Sequence, residues 1–152
     1  MTLPGSVEPT IVVEGTVSGF TQEILAGPHR LVADEPEALG GTDRGPTPYG
    51  LLLAALGACT SMTVGLYARR KQWPLEQVRV RLRHSKVHAA DCMECETKEG
   101  KIDLIECEIE LGGPLSEEQR LKLLEIADKC PVARTLTSEI KIQSRLMEGG
   151  AG

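Results

Sequence analysis

The stretch that most constrains the fold spans residues 51–68, which include no charged side chain. It reads LLLAALGACTSMTVGLYA and is followed by three basic residues at 69–71. An element that is apolar all round is buried on every side or lies in a membrane. This one barely reaches the length that a bilayer requires, and it contains glycines and hydroxyl side chains. We therefore expect a central helix with neighbours on all sides and one thiol, Cys59, in its interior.

The composition indicates a single globular domain. A chain of 152 residues buries about two-thirds of its unfolded surface, and we expect one domain over residues 10–146 between flexible termini at 1–9 and 147–152. A formal net charge of -5 argues against a nucleic-acid or anionic-membrane partner. Residues 1–10 have no basic, apolar leader pattern, so we expect a cytoplasmic protein. In that compartment, five cysteines indicate redox or metal chemistry rather than a disulfide framework.

Three short strands are predicted ahead of the helix, at residues 10–17, 20–25 and 29–34. The first alternates apolar and polar side chains, as a half-buried strand does, and glycine-containing turns separate the three. A loop over residues 35–48 follows, rich in glycine and proline. Loops of this length in compact domains are often functional. The loop leads into Pro48, a residue well suited to the first turn of a helix.

A long hairpin is predicted after the helix, from two alternating segments at residues 76–88 and 102–111. Antiparallel pairing places three arginines opposite three glutamates, in the pairs Arg79/Glu110, Arg81/Glu108 and Arg83/Glu106. This register centres the connection between Glu94 and Cys95. It also puts Cys107 on the apolar face, where we expect an inert core cysteine.

The remaining elements are a second helix and a last strand. Ser116 to Gln119 forms a capping box that begins the helix. The apolar stripe of this helix ends at Cys130, and a further helical turn is expected over residues 132–136. Residues 138–146 alternate again and predict a final strand. Strands and helices in this order, without βαβ alternation, indicate an α+β fold.

Two cysteines, Cys59 and Cys130, are predicted on the core-facing surfaces of the two helices. A thiolate rather than a thiol attacks a peroxide, and burial alone raises the pKa of a thiol. Cys59 therefore needs a nearby positive charge or hydrogen-bond donor, because the N-terminus of its helix is too distant to help. If the helices pack together, Cys130 can resolve a sulfenic acid on Cys59 by forming a disulfide. The alternative is that both are packing residues.

Two motifs carry a resemblance to a known family. One reads GPTPYGLLLAALGACTSM over residues 45–62, and the other reads KCPV over residues 129–132. Together they resemble the two-cysteine signature of the OsmC/Ohr family, the osmotically inducible protein C and organic hydroperoxide resistance proteins. The likeness extends from about residue 11 to residue 146. It implies an OsmC-like fold and an intertwined homodimer with its central helices packed together, which the small side chains at Gly57, Ser61 and Gly65 fit.

The resemblance also implies an activity. Cys59 is expected to attack organic (alkyl or lipid) hydroperoxides in oxidative-stress defence, and Cys130 to resolve the sulfenic acid. No bound cofactor is implied, and a lipoyl- or thioredoxin-type dithiol is the expected reductant. Apolar surroundings should favour alkyl over hydrogen peroxide, because each buried CH₂ contributes about 0.8 kcal/mol.

The activation of Cys59 departs from the family pattern. The family has a glutamate ten residues before the reactive cysteine, where this chain has Tyr49, and an arginine in the first strand turn, where this chain has none. The candidates for activating the thiol or positioning the substrate are Arg30, His29, Arg44, Arg134 and Tyr49. Each is also explained as an ordinary surface residue.

The predicted hairpin tip carries a separate thiol motif. Cys92 and Cys95 form a CxxC that His88 precedes by four residues. The pair can be a redox-active disulfide, half of a zinc site, or idle thiols, and no second ligand pair at zinc spacing is evident. Two alternatives to a peroxidase thus stay open. One is a non-peroxidase protein of the same fold that binds a small apolar ligand or senses oxidants, and the other is a metal-binding module on the hairpin.

Overall fold

The structure, a computed structural model, describes residues 10–148, so the ends at 1–9 and 149–152 that we expected to be flexible lie outside the described residues. The strands are β1 (Ile11–Gly15), β2 (Gln22–Ala26), β3 (His29–Ala33), β4 (Gln77–His88) and β5 (Lys101–Gly112). The helices are α1 (Pro48–Lys71), α2 (Glu117–Ala127) and α3 (Pro131–Leu136), with short 3₁₀ turns at Glu37–Leu39 and Ala89–Asp91. This is the mixed α+β order that the sequence predicts, except at its C-terminal end.

The strands β1, β2 and β3 form an antiparallel meander. The turn between β2 and β3 uses Gly27 at φ 59°, a conformation that favours glycine. The predicted half-burial of β1 is not realised within one chain, since all five of its residues are exposed. An apolar strand face gains nothing unless another layer covers it, and in the described chain no such layer lies over β1.

Asp34 organises the loop that joins this sheet to α1. Its buried carboxylate accepts backbone N–H bonds from Glu35 at 2.8 Å and from Arg44 at 3.2 Å. The hydroxyl groups of Thr21 and Thr42 donate to it as well. The hydrogen bond from Thr42, together with the other donors, holds the pKa of Asp34 far below its usual range. One carboxylate therefore ties together a loop that has little regular structure.

The ends of α1 follow from local capping. Thr47 Oγ1 accepts the N–H of Gly50 at 3.0 Å, and Pro48 occupies the first turn. At the other end, three basic residues at 69–71 lie in the last turn, where they complement the helix dipole. Gln72 ends the helix in the left-handed conformation, at φ 55°.

The central helix is not covered on all sides, contrary to the sequence-based expectation. It packs against β4, α2 and α3, while Tyr49, Leu52 and Met62 remain exposed. The second helix that we expect beside Gly57 belongs to a second copy, so that expectation stays a prediction. A Cβ there would lie 2.7 Å from Leu82 Cδ1, so the close neighbour of Gly57 is β4.

α1 is also the one helix in residues 10–148 that is long and apolar enough to cross a bilayer. This statement rests on the length and composition of α1 alone, and the core helix of a soluble protein meets the same criterion. Here α1 provides the buried residues of two clusters. Val64 and Ala68 pack with Leu123 of α2, and Leu56 packs with Cys59 and Cys130.

The register of the β4–β5 hairpin is the predicted one. Arg79 pairs with Glu110, Arg81 with Glu108 and Arg83 with Glu106. Among these arginines and glutamates the closest ion pair is diagonal, with Arg83 Nη2 3.1 Å from Glu108 Oε1. All these side chains are exposed, so they select the register more than they stabilise the fold.

The predicted final strand at residues 138–146 is absent from the described chain. A strand needs a neighbouring backbone to receive its hydrogen bonds, and this segment has no ladder partner among residues 10–148. The apolar side chains that suggested a buried face are open to solvent. Ile142 is 85% exposed and Leu146 is 96% exposed.

Candidate active site

The structure brings Cys59 and Cys130 into one buried cluster. Cys59 lies in the middle of α1 and is 8% exposed, and Cys130 is completely buried. Leu56 completes the cluster, and partly buried apolar side chains cover it, namely Leu82, Ile105, Val132, Ala133 and Leu136. Both thiols are free. The two sulfur atoms predicted to act together therefore share one apolar environment.

The sequence suggested that Cys130 ends the second helix, and this prediction was wrong. The helix α2 ends at Ala127, and Cys130 is the N-cap of the short helix α3. Its Sγ accepts the backbone N–H of Ala133 at 3.3 Å and the hydroxyl of Thr60 at 3.6 Å. Since Thr60 directly follows Cys59 in α1, one hydrogen bond links the two cysteine-bearing helices. These two donors orient the sulfur of Cys130.

The expected activating side chains do not reach Cys59 within one chain. Arg30 is exposed on β3 and pairs with Glu23, and His29 is exposed at the start of the same strand. Arg44 and Arg134 are exposed as well. In the part of the chain that the structure describes, none of these four makes a hydrogen bond or ion pair with either thiol. Arg30 and His29 lie on β3, Arg44 lies in the loop before α1, and Arg134 lies on α3.

Tyr49 belongs to a polar cluster that the sequence did not suggest. Its ring stacks on His84 with centroids 4.6 Å apart. His84 Nε2 lies 2.8 Å from Asp103 Oδ1, and Lys86 Nζ lies 2.9 Å from the same oxygen. The hydrogen bond from Lys86, with His84, lowers the pKa of Asp103, and Asp103 in turn raises the pKa of Lys86. The predicted hairpin register already places Lys86 opposite Asp103, and that pairing is the signal that could have found this part of the cluster.

A cavity of about 500 Å³ lies beside the cysteine cluster, within the range of small-molecule sites. Its lining is mainly apolar and includes Leu56, Leu104, Ile105, Ile109, Ala127, Ala133 and Leu136. The polar side chains in the lining are Thr60, Asp103, Cys107, Asp128 and Thr137. Such a space accommodates an alkyl group better than a small polar molecule.

Cys107 differs from the buried, inert residue that we expected. It lies opposite Leu82 in the hairpin, on the predicted face, yet it is exposed in this chain. It opens onto the cavity rather than into close packing. Partial burial nevertheless raises the pKa of its thiol, and interactions with Cys130 and Asp128 add to the rise.

Cys92 and Cys95 form a disulfide at the hairpin tip, with their Cα atoms 5.4 Å apart. His88, the third candidate in that motif, ends β4 opposite Lys101. Among the described residues, no group of three or more His, Cys, Asp or Glu side chains could hold a metal ion. In this structure the two sulfur atoms of the tip bind each other in a disulfide and are not free thiolates that could bind a metal.

The sequence model of the OsmC-like protein family matches residues 41–145, which include both buried cysteines. The chain belongs to the OsmC-like family. No curated protein matches it.

Solved structures of OsmC-like proteins share the fold. An OsmC-like protein from Mycoplasma pneumoniae superposes with a TM-score of 0.66 at 20% identity, over 86% of this chain and 87% of that one. An organic hydroperoxide resistance protein OsmC from Legionella pneumophila gives 0.62 at 19%, over 87% and 92%. The organic hydroperoxide resistance protein OhrB of Bacillus subtilis gives 0.57 at 19%, over 84% and 89%.

Proposed function

We propose that this OsmC-like protein is a thiol peroxidase that reduces organic hydroperoxides. The observation that carries the proposal is the shared burial of Cys59 and Cys130 in one apolar cluster. Two structural relatives are named as organic hydroperoxide resistance proteins, which supports the same chemistry.

The proposed cycle has three steps. The Cys59 thiolate attacks the terminal peroxide oxygen, the O–O bond breaks, and the leaving alkoxide takes up a proton to become an alcohol. The Cys130 thiolate then attacks the sulfenic sulfur of Cys59, which releases hydroxide that is protonated to water and leaves a Cys59–Cys130 disulfide. A dithiol of the lipoyl or thioredoxin type reduces that disulfide and is itself oxidised to a disulfide.

The proposed substrate has an alkyl or lipid chain. The cavity beside the cysteines is lined mainly by leucine, isoleucine and alanine side chains. Burial of each CH₂ of a substrate there contributes about 0.8 kcal/mol, a gain that hydrogen peroxide cannot obtain. The proposed location is the cytoplasm, whose reducing conditions keep the two catalytic thiols free.

The proposed assembly is an intertwined homodimer. The exposed face of β1 and the exposed apolar residues of 138–146 are surfaces that a second copy can cover. A second copy also offers a source of positive charge for Cys59, because its N-terminal sheet carries His29 and Arg30. Such an arrangement is compatible with the lack of a hydrogen bond or ion pair between those side chains and Cys59 within residues 10–148 of one chain.

The decisive experiment measures peroxide consumption and thiol loss together. The reduced protein is mixed with cumene hydroperoxide or hydrogen peroxide, with dihydrolipoate as reductant. We expect turnover that is at least about tenfold faster with cumene hydroperoxide, and a Cys59–Cys130 bond in peptide maps. Cys59→Ser should abolish turnover, and Cys130→Ser should allow one oxidation and then stop.

The matched control is the double variant Cys92→Ser and Cys95→Ser, which removes two cysteines far from the cluster in sequence. It should turn over cumene hydroperoxide as the wild type does. If the number of free thiols in the wild-type protein does not change after exposure to cumene hydroperoxide, the proposed peroxidase activity is ruled out.

A second candidate function is the binding of a small apolar ligand or the sensing of oxidants without turnover. The observation that favours it is the absence, within residues 10–148 of one chain, of any hydrogen bond or ion pair to Cys59 from a basic side chain. It predicts saturable binding of an apolar ligand beside Cys59 with no catalytic consumption of peroxide.

A further inference from the structure

The two proposed catalytic sulfurs are poorly placed for a large reductant. Cys130 is completely buried and Cys59 is 8% exposed, so a disulfide between them lies beneath the surface of the chain. A dithiol carried on a protein must bring its own sulfur against one of these two sulfurs, in line with the bond that breaks. The third free cysteine, Cys107, is exposed.

Cys107 shares a cavity with the hydrogen-bond partners of Cys130. Thr60 and Ala133 are the two residues that donate hydrogen bonds to Cys130 Sγ. Both line the same cavity as Cys107, together with Asp128. On the other side, Leu82 is the ladder partner of Cys107 and packs on the cysteine cluster. The cavity thus leads from an exposed thiol to the surroundings of a buried one.

The raised pKa of Cys107 makes its reactions depend on pH. Burial raises the pKa of its thiol, and Cys130 adds to that rise, which means that the two side chains interact electrostatically. A thiol of raised pKa is mostly protonated at neutral pH and reacts slowly with peroxide. Disulfide exchange also proceeds through the thiolate, so the proposed exchange step becomes faster as the pH rises toward the pKa of Cys107.

We propose that Cys107 is a second resolving thiol that carries the disulfide from the buried cluster to the surface. Cys107 loses its proton to solvent and attacks Cys130 Sγ. The Cys107–Cys130 bond forms, the Cys59–Cys130 bond breaks, and Cys59 leaves as a thiolate that is ready for another peroxide. The external dithiol then reduces the Cys107–Cys130 disulfide at its exposed sulfur. The inference rests on the proposed peroxidase cycle, whereas the cavity that Cys107 shares with Thr60 and Ala133 is independent of that cycle.

The first test concerns proximity alone and uses no peroxide. Folded Cys59→Ser protein is oxidised with diamide, which takes two electrons and two protons from a pair of thiols. Non-reducing peptide mapping should then show an intramolecular Cys107–Cys130 bond, which the additional substitution Cys107→Ser removes. Diamide treatment that leaves both thiols free in the folded protein, while urea-unfolded protein does form the bond, overturns the proposal.

The second test follows the exchange step. Wild-type protein is oxidised with one equivalent of cumene hydroperoxide and mixed with dihydrolipoate or with a thioredoxin-type protein. Peptide maps of samples quenched with acid should show Cys59–Cys130 first and Cys107–Cys130 later. Reduction of Cys107→Ser by the thioredoxin-type protein should be at least about tenfold slower than that of the wild type. The double variant Cys92→Ser and Cys95→Ser should be reduced at the wild-type rate.

The two proposals fail in different ways. If peroxide forms no Cys59–Cys130 bond in the wild type, the peroxidase proposal fails while the diamide result still reports on Cys107. If that bond does form, but Cys107→Ser is reduced at the wild-type rate and no Cys107–Cys130 peptide is found, the exchange proposal is wrong and the peroxidase proposal stands.

Discussion

At the scale of single residues, the cysteines show what a sequence can and cannot say about a side chain. Cys59 and Cys130 were recognised from their motifs, and the structure buries both in one cluster. Cys107 was assigned to the correct face of its strand, but it was expected to be inert. The alternation of a strand shows which way a side chain points, whereas the space in front of that side chain depends on distant residues such as Ala127 and Ala133.

Asp34 provides a residue-scale prediction about pH. The Asp34→Asn variant should unfold at lower urea concentration at pH 7, because an amide NH₂ would face the donors of Thr21, Thr42 and Arg44. The folded-state pKa of Asp34 is depressed, so its contribution to stability is complete above the unfolded-state value. That contribution is lost as the pH falls below about 4.

Urea denaturation of both proteins from pH 7 to pH 2 measures this difference. The difference in free energy of unfolding between wild type and Asp34→Asn should stay constant down to about pH 5 and then shrink. Asp43→Asn, in the same loop, is the matched control and should show no such gap. A gap that does not vary with pH would mean that the charge of Asp34 is not what holds the loop.

At the scale of elements, the best predictions were those that depend on neighbours along the chain. The bounds of α1 and the register of β4–β5 agree with the structure. Proline at a helix start, basic residues at a helix end and facing opposite charges all act over a few residues or across one hairpin. The prediction that α2 continues to Cys130 was wrong, because α2 ends at Ala127 and Pro131 lies in the first turn of α3, where its missing N–H costs nothing.

The N-cap of α1 gives an element-scale prediction. Thr47→Ala removes the oxygen that accepts the N–H of Gly50 and should lower the free energy of unfolding by about 1 kcal/mol. Urea denaturation monitored by circular dichroism measures the loss. Thr97→Ala, at an exposed position in the hairpin loop, is the control and should change stability little. Equal stability of Thr47→Ala and wild type would show that the proline alone is sufficient to start the helix.

At the scale of the whole molecule, the single chain leaves surfaces that a folded protein normally covers. β1 is exposed throughout, residues 138–146 form no strand, and part of the apolar surface of α1 remains open. Large exposed apolar surfaces mark interfaces. The proposed homodimer is the simplest assembly in which the final segment gains a ladder partner.

The assembly is tested by measuring mass in solution. Light scattering coupled to gel filtration should give twice the chain mass for the wild type. The Ile142→Glu variant should shift the protein toward monomer, because a charge would replace an apolar side chain of the final segment. Lys141→Glu, on the opposite side of the same alternating segment, should remain a dimer. A monomeric wild type contradicts the proposed assembly. Equal dissociation of both variants contradicts the prediction that Ile142, and not Lys141, faces the partner copy.

The sequence alone determined the order of elements as far as α2, the length of α1, the hairpin register and the two-cysteine signature, because each follows from interactions along the chain or across one turn. Tertiary structure decided which sides of α1 are covered, that Cys130 caps α3, and that Cys107 shares a cavity with the residues around Cys130. It also decided that residues 138–146 form no strand within one chain. Burial and strand pairing are properties of surfaces that meet, and the residues on the opposing surface lie far away in the sequence or in another molecule.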